Sequence, residues 1–91
     1  MLWQTTGYRS VMPVRVLLFA SYAEALGRDE VAIDTPPHAT VADVLAHLRS
    51  LPGAERLPPQ PLVAINARYA RIGDVVHAGD EVAVIPPVAG G

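Results

Sequence analysis

One segment of the sequence has the spacing of a long amphipathic helix, and the segments on either side of it have the spacing of strands. In "TVADVLAHLRSLPG", Thr40 and Asp43 stand in the relation of a capping box, and Pro52-Gly53 ends the pattern. A helix with one apolar face must cover an apolar surface. We therefore predict an α+β fold in which this main helix packs across one face of a sheet. The apolar face is formed by Val41, Val44, Leu45, Leu48 and Leu51.

Four strand-like segments flank this helix. The run "VRVLLFA" at residues 14–20 is almost continuously apolar, which predicts an interior strand that is buried on both faces. The segment "EVAIDT" alternates apolar and polar residues, and "LVAINARYA" reads as a strand that turns near Asn66. The last strand is predicted from Glu81 to Ile85. The predicted order is strand, strand, main helix, strand, strand.

A short helix is predicted between the first two strands. In "SYAEALG", Ser21 and Glu24 have the spacing of a capping box, and Gly27 supplies the left-handed residue that ends a helix. The segment is long enough for one or two helical turns.

Composition narrows the class of protein. A chain of 91 residues, 51% of them hydrophobic, supports one compact domain. It contains no Cys, so burial of apolar side chains must stabilise it without disulfides, as expected for a cytoplasmic protein. The longest apolar run is interrupted by Arg15 and is far shorter than the about 20 residues of a membrane span, so no membrane partner is expected. The net charge of −2 and the scattered arginines argue against nucleic acid.

The chain divides into three parts. Residues 1–12 read as an N-terminal extension, because the packed pattern begins only at "MPVRVLLFA". Leu2, Trp3 and Tyr8 give this extension apolar side chains that can dock on the body. It has neither a basic leader nor a sustained apolar centre, so we expect no secretory signal. The other two parts are the folded domain, residues 13–85, and an extended C-terminal tail, residues 86–91.

The predicted body offers no active site of its own. His38, His47 and His77 lie far apart in the sequence, and neither Cys nor a close carboxylate completes a metal-ligand spacing, so we expect no metal and no bound cofactor. The pairs Asp29-Glu30 and Asp80-Glu81 begin strands beside turns, where carboxylates are solvated. No serine stands in a G-x-S-x-G setting, and no glycines form a phosphate-binding loop. Whether the chain is an enzyme stays open.

The tail "PPVAGG" is suited to entering another protein. Pro86 and Pro87 lack amide donors and fix φ near about −65°, so the last strand cannot continue through them. Six extended residues reach roughly 20 Å at about 3.3 Å each. Gly90 and Gly91 have no Cβ, so a narrow tunnel can close around their backbone. An unstructured chain end without a role is the alternative.

The reactive group of the tail is the α-carboxylate of Gly91, which is ionised at neutral pH. An ionised carboxylate is a poor electrophile. Adenylation by a partner that uses ATP would supply the missing leaving group, and attack by a sulfur donor would then leave a thiocarboxylate, whose sulfur is a good nucleophile at neutral pH.

The sequence resembles a known family. In "VRVLLFA", "SYAEALG", "VAIN" and above all "GDEVAVIPPVAGG" it is similar to the small, sulfur-carrier subunit of molybdopterin synthase, the MoaD family, over about residues 13–91. This resemblance implies a ubiquitin-like β-grasp fold with a mixed sheet. In that family a ubiquitin-activating-enzyme-like adenylyltransferase activates the terminal glycine, a sulfur donor protein supplies sulfur, and the large subunit receives the tail. The sulfur goes to cyclic pyranopterin monophosphate during molybdenum cofactor biosynthesis.

The resemblance assigns roles to particular residues. Gly91 would be the site of adenylation and thiocarboxylate formation, and Gly90 would thread the tunnel with it. The connecting tail would be Pro86, Pro87, Val88 and Ala89. An apolar patch for the large subunit would include Phe19, Tyr69 and Ile85, although Phe19 in a buried strand fits a core position equally well. ATP would be used by the activating partner and not held by this chain.

Three other functions are compatible with the sequence. Sulfur carriers for thiamine, cysteine or tRNA thiolation share the fold and the Gly-Gly ending. A ubiquitin-like protein modifier would join Gly91 to a lysine amine of a target protein. An interaction module with an inert tail would not need Gly90 and Gly91 at all.

Overall fold

The computed structural model describes residues 13–57 and 61–86. The predicted N-terminal extension, residues 1–12, lies outside the described residues, as do residues 58–60 and the tail residues 87–91. Within the described ranges, no helix has the length and apolar character needed to cross a membrane. The strands are β1 (Val14–Leu18), β2 (Glu30–Ile33), β3 (Leu62–Ile65), β4 (Arg68–Ala70) and β5 (Glu81–Ile85). The α-helices are α1 (Ala20–Leu26) and α2 (Val41–Arg49).

The five strands form one mixed sheet in the order β2-β1-β5-β3-β4. β1 and β5 pair in parallel, and the other neighbours are antiparallel. β1 is an interior strand, as predicted, but the prediction that it is buried on both faces is wrong. Val16 is buried on one face, whereas Arg15 is exposed and Leu17 is half-buried on the other. The reason is that the helices pack against only one face.

The core lies between that face and the two helices. Helix α2 begins with the predicted capping box: the Asp43 N–H donates to Oγ1 of Thr40 at 3.4 Å, and the Thr40 N–H donates to Oδ2 of Asp43 at 2.9 Å. Its predicted stripe is buried at three positions and half-buried at two, while His47 is exposed. The buried cluster is formed by Val14, Val16, Leu18, Tyr22, Val31, Ile33, Val41, Val44, Leu48, Val63, Val76, Val82 and Val84.

The predicted cap of α1 is wrong. The helix begins at Ala20, its N-cap is Phe19, and no side chain makes a capping hydrogen bond there. Phe19 is the last extended residue after β1, so Ser21 already lies inside the helix. Gly27 ends the helix with φ 74°, as predicted.

The segment predicted as one turning strand is two strands. β3 and β4 are joined at Asn66 and Ala67, which have φ values of 50° and 71°. Two consecutive residues of positive φ reverse the chain with the twist that a tight hairpin needs. The sheet therefore has five strands where the sequence predicted four.

Candidate functional site: the open face of the sheet

The face of the sheet that the helices leave uncovered carries an apolar row across four strands. Leu17 of β1 is paired with Ala83 of β5, Ala83 with Ala64 of β3, and Ala64 with Tyr69 of β4. Paired residues point to the same face of a sheet, so these four side chains form one line. Two alanines between larger neighbours leave a valley in the middle of the face.

This valley is the floor of a groove of about 360 Å³, which we call the sheet groove. Tyr69 is 78% exposed and Phe19 is 45% exposed, although both are aromatic. Large apolar side chains that remain in water around a concave apolar surface are typical of a protein-binding site. The lining residues are Leu17, Phe19, Ala64, Ala67, Tyr69, Glu81, Ala83 and Ile85.

Because β1 and β5 are parallel neighbours, their C-terminal ends lie side by side at one end of the sheet groove. The Phe19 N–H donates to the carbonyl of Val84 at 3.3 Å, which holds Phe19 beside the end of β5. Ile85 is the last residue of that strand and pairs with Leu62 of β3. The half-buried Pro86 follows directly. The C-terminal tail therefore begins at the rim of the groove.

The near end of the open face is charged. Nε of Arg15 lies 3.1 Å from Oε2 of Glu30, and Nη1 of Arg15 lies 3.1 Å from Oε2 of Glu81. The hydrogen bond between Arg15 and Glu30, with their charge attraction, raises the pKa of Arg15 and lowers the pKa of Glu30. All three side chains are substantially exposed. These ion pairs therefore mark where the apolar surface stops and contribute little to its stability.

The structure places the three predicted interface residues together. Phe19, Tyr69 and Ile85 all line the sheet groove, and Phe19 is not part of the core. Their role in binding a partner stays a prediction. Of the predicted tail, only Pro86 lies within the described residues; Pro87, Val88, Ala89, Gly90 and Gly91 lie outside them.

Sequence reasoning missed the floor of the groove. The sequence predicts that Leu17 lies in a strand buried on both faces, and it does not identify Ala64 or Ala83 as site residues. The sequence does indicate this depression, because in the alternating strand "EVAVI" Ala83 takes an outward position between two buried valines. An outward alanine flanked by larger outward side chains indicates a depression.

The described part of the chain contains no group of three or more His, Cys, Asp or Glu side chains placed to hold a metal ion.

A second groove lies at the other end of the sheet, between residues 35–38 and 75–78.

Comparison with known proteins decides the family. The ThiS family model matches residues 16–91, which include all of the sheet groove and the tail. The chain belongs to the ThiS family. The molybdopterin synthase sulfur carrier subunit of Dictyostelium discoideum is 35% identical over 81 residues, covering 85% of this chain and 94% of that protein.

Solved structures of related proteins have the same fold as this chain. The crystal structure of small archaeal modifier protein 1 from Haloferax volcanii matches with a TM-score of 0.74 and 32% identity, covering 85% of this chain and 99% of that one. Subunits 1 and 2 of the molybdopterin-converting factor of Helicobacter pylori form a complex that contains the same fold, with a TM-score of 0.64, 21% identity and coverage of 88% and 100%. The predicted ubiquitin-like β-grasp fold and the resemblance to sulfur carriers of molybdopterin synthase are thus confirmed.

Proposed function

We propose that this ThiS-family chain is the small, sulfur-carrier subunit of a molybdopterin synthase, and that it carries sulfur as a thiocarboxylate on Gly91. The observation that carries the proposal is the position of the tail. β5 ends at Ile85, on the rim of an exposed apolar groove, and the sequence runs from there through Pro86 to Gly90 and Gly91. A large subunit bound to the groove would lie next to the point where the tail leaves the domain.

The sheet groove has the character of a stable protein interface. Its floor is apolar, an aromatic residue, Tyr69, flanks that floor on the edge strand β4, and the ion pairs of Arg15 stand at the charged end of the face. Interfaces commonly combine an apolar centre with a polar rim, and tyrosine is frequent among the residues that dominate binding. The large subunit is therefore proposed to cover this face, with Phe19, Tyr69 and Ile85 as its contacts.

The proposed chemistry takes place on the carboxylate of Gly91. One carboxylate oxygen attacks the α-phosphorus of ATP on a ubiquitin-activating-enzyme-like adenylyltransferase, pyrophosphate leaves, and an acyl adenylate forms. Sulfur at the oxidation level of hydrosulfide, supplied by a donor protein, attacks the carbonyl carbon and displaces AMP. The resulting thiocarboxylate enters the large subunit, where its sulfur bonds to a carbon of cyclic pyranopterin monophosphate and replaces an oxygen substituent. Water then cleaves the bond between that sulfur and the Gly91 carbonyl carbon, which restores the carboxylate. Two thiolated chains supply the two sulfurs of the dithiolene. This chain contributes the extended tail and its terminal carboxylate, and the partners contribute the catalytic groups.

Intact-protein mass spectrometry tests the first half of this proposal. The full chain is incubated with ATP, the adenylyltransferase and a sulfide source, and we expect the mass increase of one oxygen replaced by sulfur. A variant lacking Gly91 is the control and should not change. Absence of the mass increase in the full chain would reject the sulfur-carrier function.

The second half is tested by adding a molybdopterin synthase large subunit and cyclic pyranopterin monophosphate to the thiolated chain. Formation of the dithiolene product is expected. If thiolation succeeds but this conversion fails, while a thiamine, cysteine or tRNA thiolation system accepts the sulfur, the chain serves that other pathway. Because activation consumes ATP, we further propose a cytoplasmic location, which fractionation of cells that express the tagged chain would test.

A second candidate function is protein modification. It is favoured by the match to small archaeal modifier protein 1, which covers nearly all of that protein. In this function the activated Gly91 carbonyl would be attacked by a lysine amine of a target, with AMP as the leaving group. The chain has seven basic residues, all of them Arg, so it could not form chains on itself. Isopeptide-linked species that persist on a denaturing gel and require Gly91 would support this function.

A further inference from the structure

A second apolar groove lies at the end of the sheet opposite to the tail. We call it the entry groove; it has a volume of about 400 Å³ and two walls, residues 35–38 and 75–78. One backbone hydrogen bond fixes the spacing of the walls: the Val76 N–H donates to the carbonyl of Ala39, the residue that directly follows the first wall, at 2.8 Å. Val75 is 40% exposed at its edge. The lining is mostly proline, valine and alanine, so the groove suits an apolar occupant.

The chain enters the domain between the two walls. Val14 is paired with Ile33, and the Arg15 N–H donates to the carbonyl of Asp80 at 3.0 Å. Thr35 follows Ile33 by two positions and Ala78 precedes Asp80 by two, and both line the entry groove. β1 therefore begins beside both walls of this groove.

We propose that residues 1–12 of this chain fold back and bind the entry groove, with Trp3 and Tyr8 as their aromatic anchors. Tyr8 stands five positions before Pro13, and at about 3.3 Å per residue the connection spans up to roughly 17 Å, so either aromatic side chain can reach the groove. The groove is large enough for an aromatic ring and offers the rings of Pro36 and Pro37 as packing surface. The ThiS family match begins only at residue 16, so the extension lies outside the part that defines the family.

A thermodynamic cycle on the full-length chain tests this contact. One change replaces Leu2, Trp3 and Tyr8 together by Ser, and the other is Val75→Asp in the entry groove. Each is made alone and in combination, and the midpoint of urea unfolding is measured for all four chains. Two further chains, Ile72→Asp with and without the triple replacement, are the matched control, because Ile72 is 66% exposed on the same loop and does not line the groove.

If the extension binds the groove, the triple replacement lowers the midpoint in the parent and in Ile72→Asp, but has little effect once Val75→Asp is present. The emission of Trp3, the only tryptophan, should also move to longer wavelength in Val75→Asp and not in Ile72→Asp. Equal effects of the triple replacement in all backgrounds, with unchanged emission, would overturn the proposal. The proposal would also be overturned if the coupling between the triple replacement and Val75→Asp weakened on dilution and the chain eluted as a dimer on size exclusion. In that case the groove would hold the extension of a second copy.

Discussion

Arg15 and Glu81 form an ion pair across two parallel strands although 66 positions separate them in the sequence. Nη1 of Arg15 lies 3.1 Å from Oε2 of Glu81, and its Nε lies 3.1 Å from Glu30 on the other neighbouring strand. One guanidinium thus joins the first, second and last strands of the domain at the charged end of the open face.

Stability should fall in acid in part through Glu30. Its pKa is lower in the folded chain because Arg15 donates a hydrogen bond to it and attracts its charge, so the folded state favours the ionised form. The resulting contribution is present above the ordinary pKa of glutamate and is lost as the pH falls through the lower folded value. Glu30→Gln should therefore flatten the acid limb of a plot of unfolding free energy against pH. Glu24→Gln, at an exposed glutamate of α1, is the control for the loss of one carboxylate.

Filling the sheet groove should block the partner without unfolding the domain. Ala83→Phe places a ring over the valley between Leu17 and Tyr69, on a half-buried outward position. Truncation of a tyrosine that dominates an interface costs about 2 kcal/mol, so Tyr69→Ala should weaken binding of the large subunit roughly 30-fold. Ile72→Ala, outside the groove, is the control. Calorimetric titration measures the affinity of each of the three variants for the large subunit. Equal affinities would show that the large subunit does not bind the open face.

Three glycines allow backbone strain and steric overlap to be separated. A Cβ at Gly53, where φ is 92°, would collide with the carbonyl oxygen of Ala25, whereas at Gly27, where φ is 74°, it would meet no atom within 4 Å. At Gly73 it would meet neither obstacle. We expect Gly27→Ala to cost about 1 to 2 kcal/mol, Gly53→Ala to cost more, and Gly73→Ala to cost little. Urea unfolding measures the loss of unfolding free energy in each variant. An equal loss in Gly27→Ala and Gly53→Ala would show that the backbone shifts to relieve the overlap at residue 53.

The turn between β3 and β4 is tied to the start of β5 by Asn66. Its Oδ1 accepts the Glu81 N–H at 3.0 Å, and its Nδ2 donates to Oδ1 of Asp80 at 3.0 Å. Asn66→Asp keeps the first bond but replaces the second by two facing carboxylates, and should lower the unfolding free energy by about 1 kcal/mol or more. Added salt should recover part of that loss in Asn66→Asp and none in Asn66→Ala, because only the first variant suffers charge repulsion.

Much of the local structure is readable from the sequence. The capping box of Thr40 and Asp43, the end of α1 at Gly27 and the bounds of β5 depend on neighbouring residues, and all three predictions are confirmed. The chemistry proposed for the tail likewise depends only on two prolines, two glycines and a carboxylate. Such features require no knowledge of what lies across the fold.

Only the tertiary structure decided which face of the sheet is open. The period of two in a strand shows which residues share a face, but not which face the helices will cover. The nearly continuous apolar run "VRVLLFA" predicts burial on both faces, and this is wrong because the helices cover only one. Leu17, Ala83, Ala64 and Tyr69 become one row because four strands pair in a particular register. That register is set by burial of the opposite face, where distant segments share one core, and the local sequence of each strand does not contain this information.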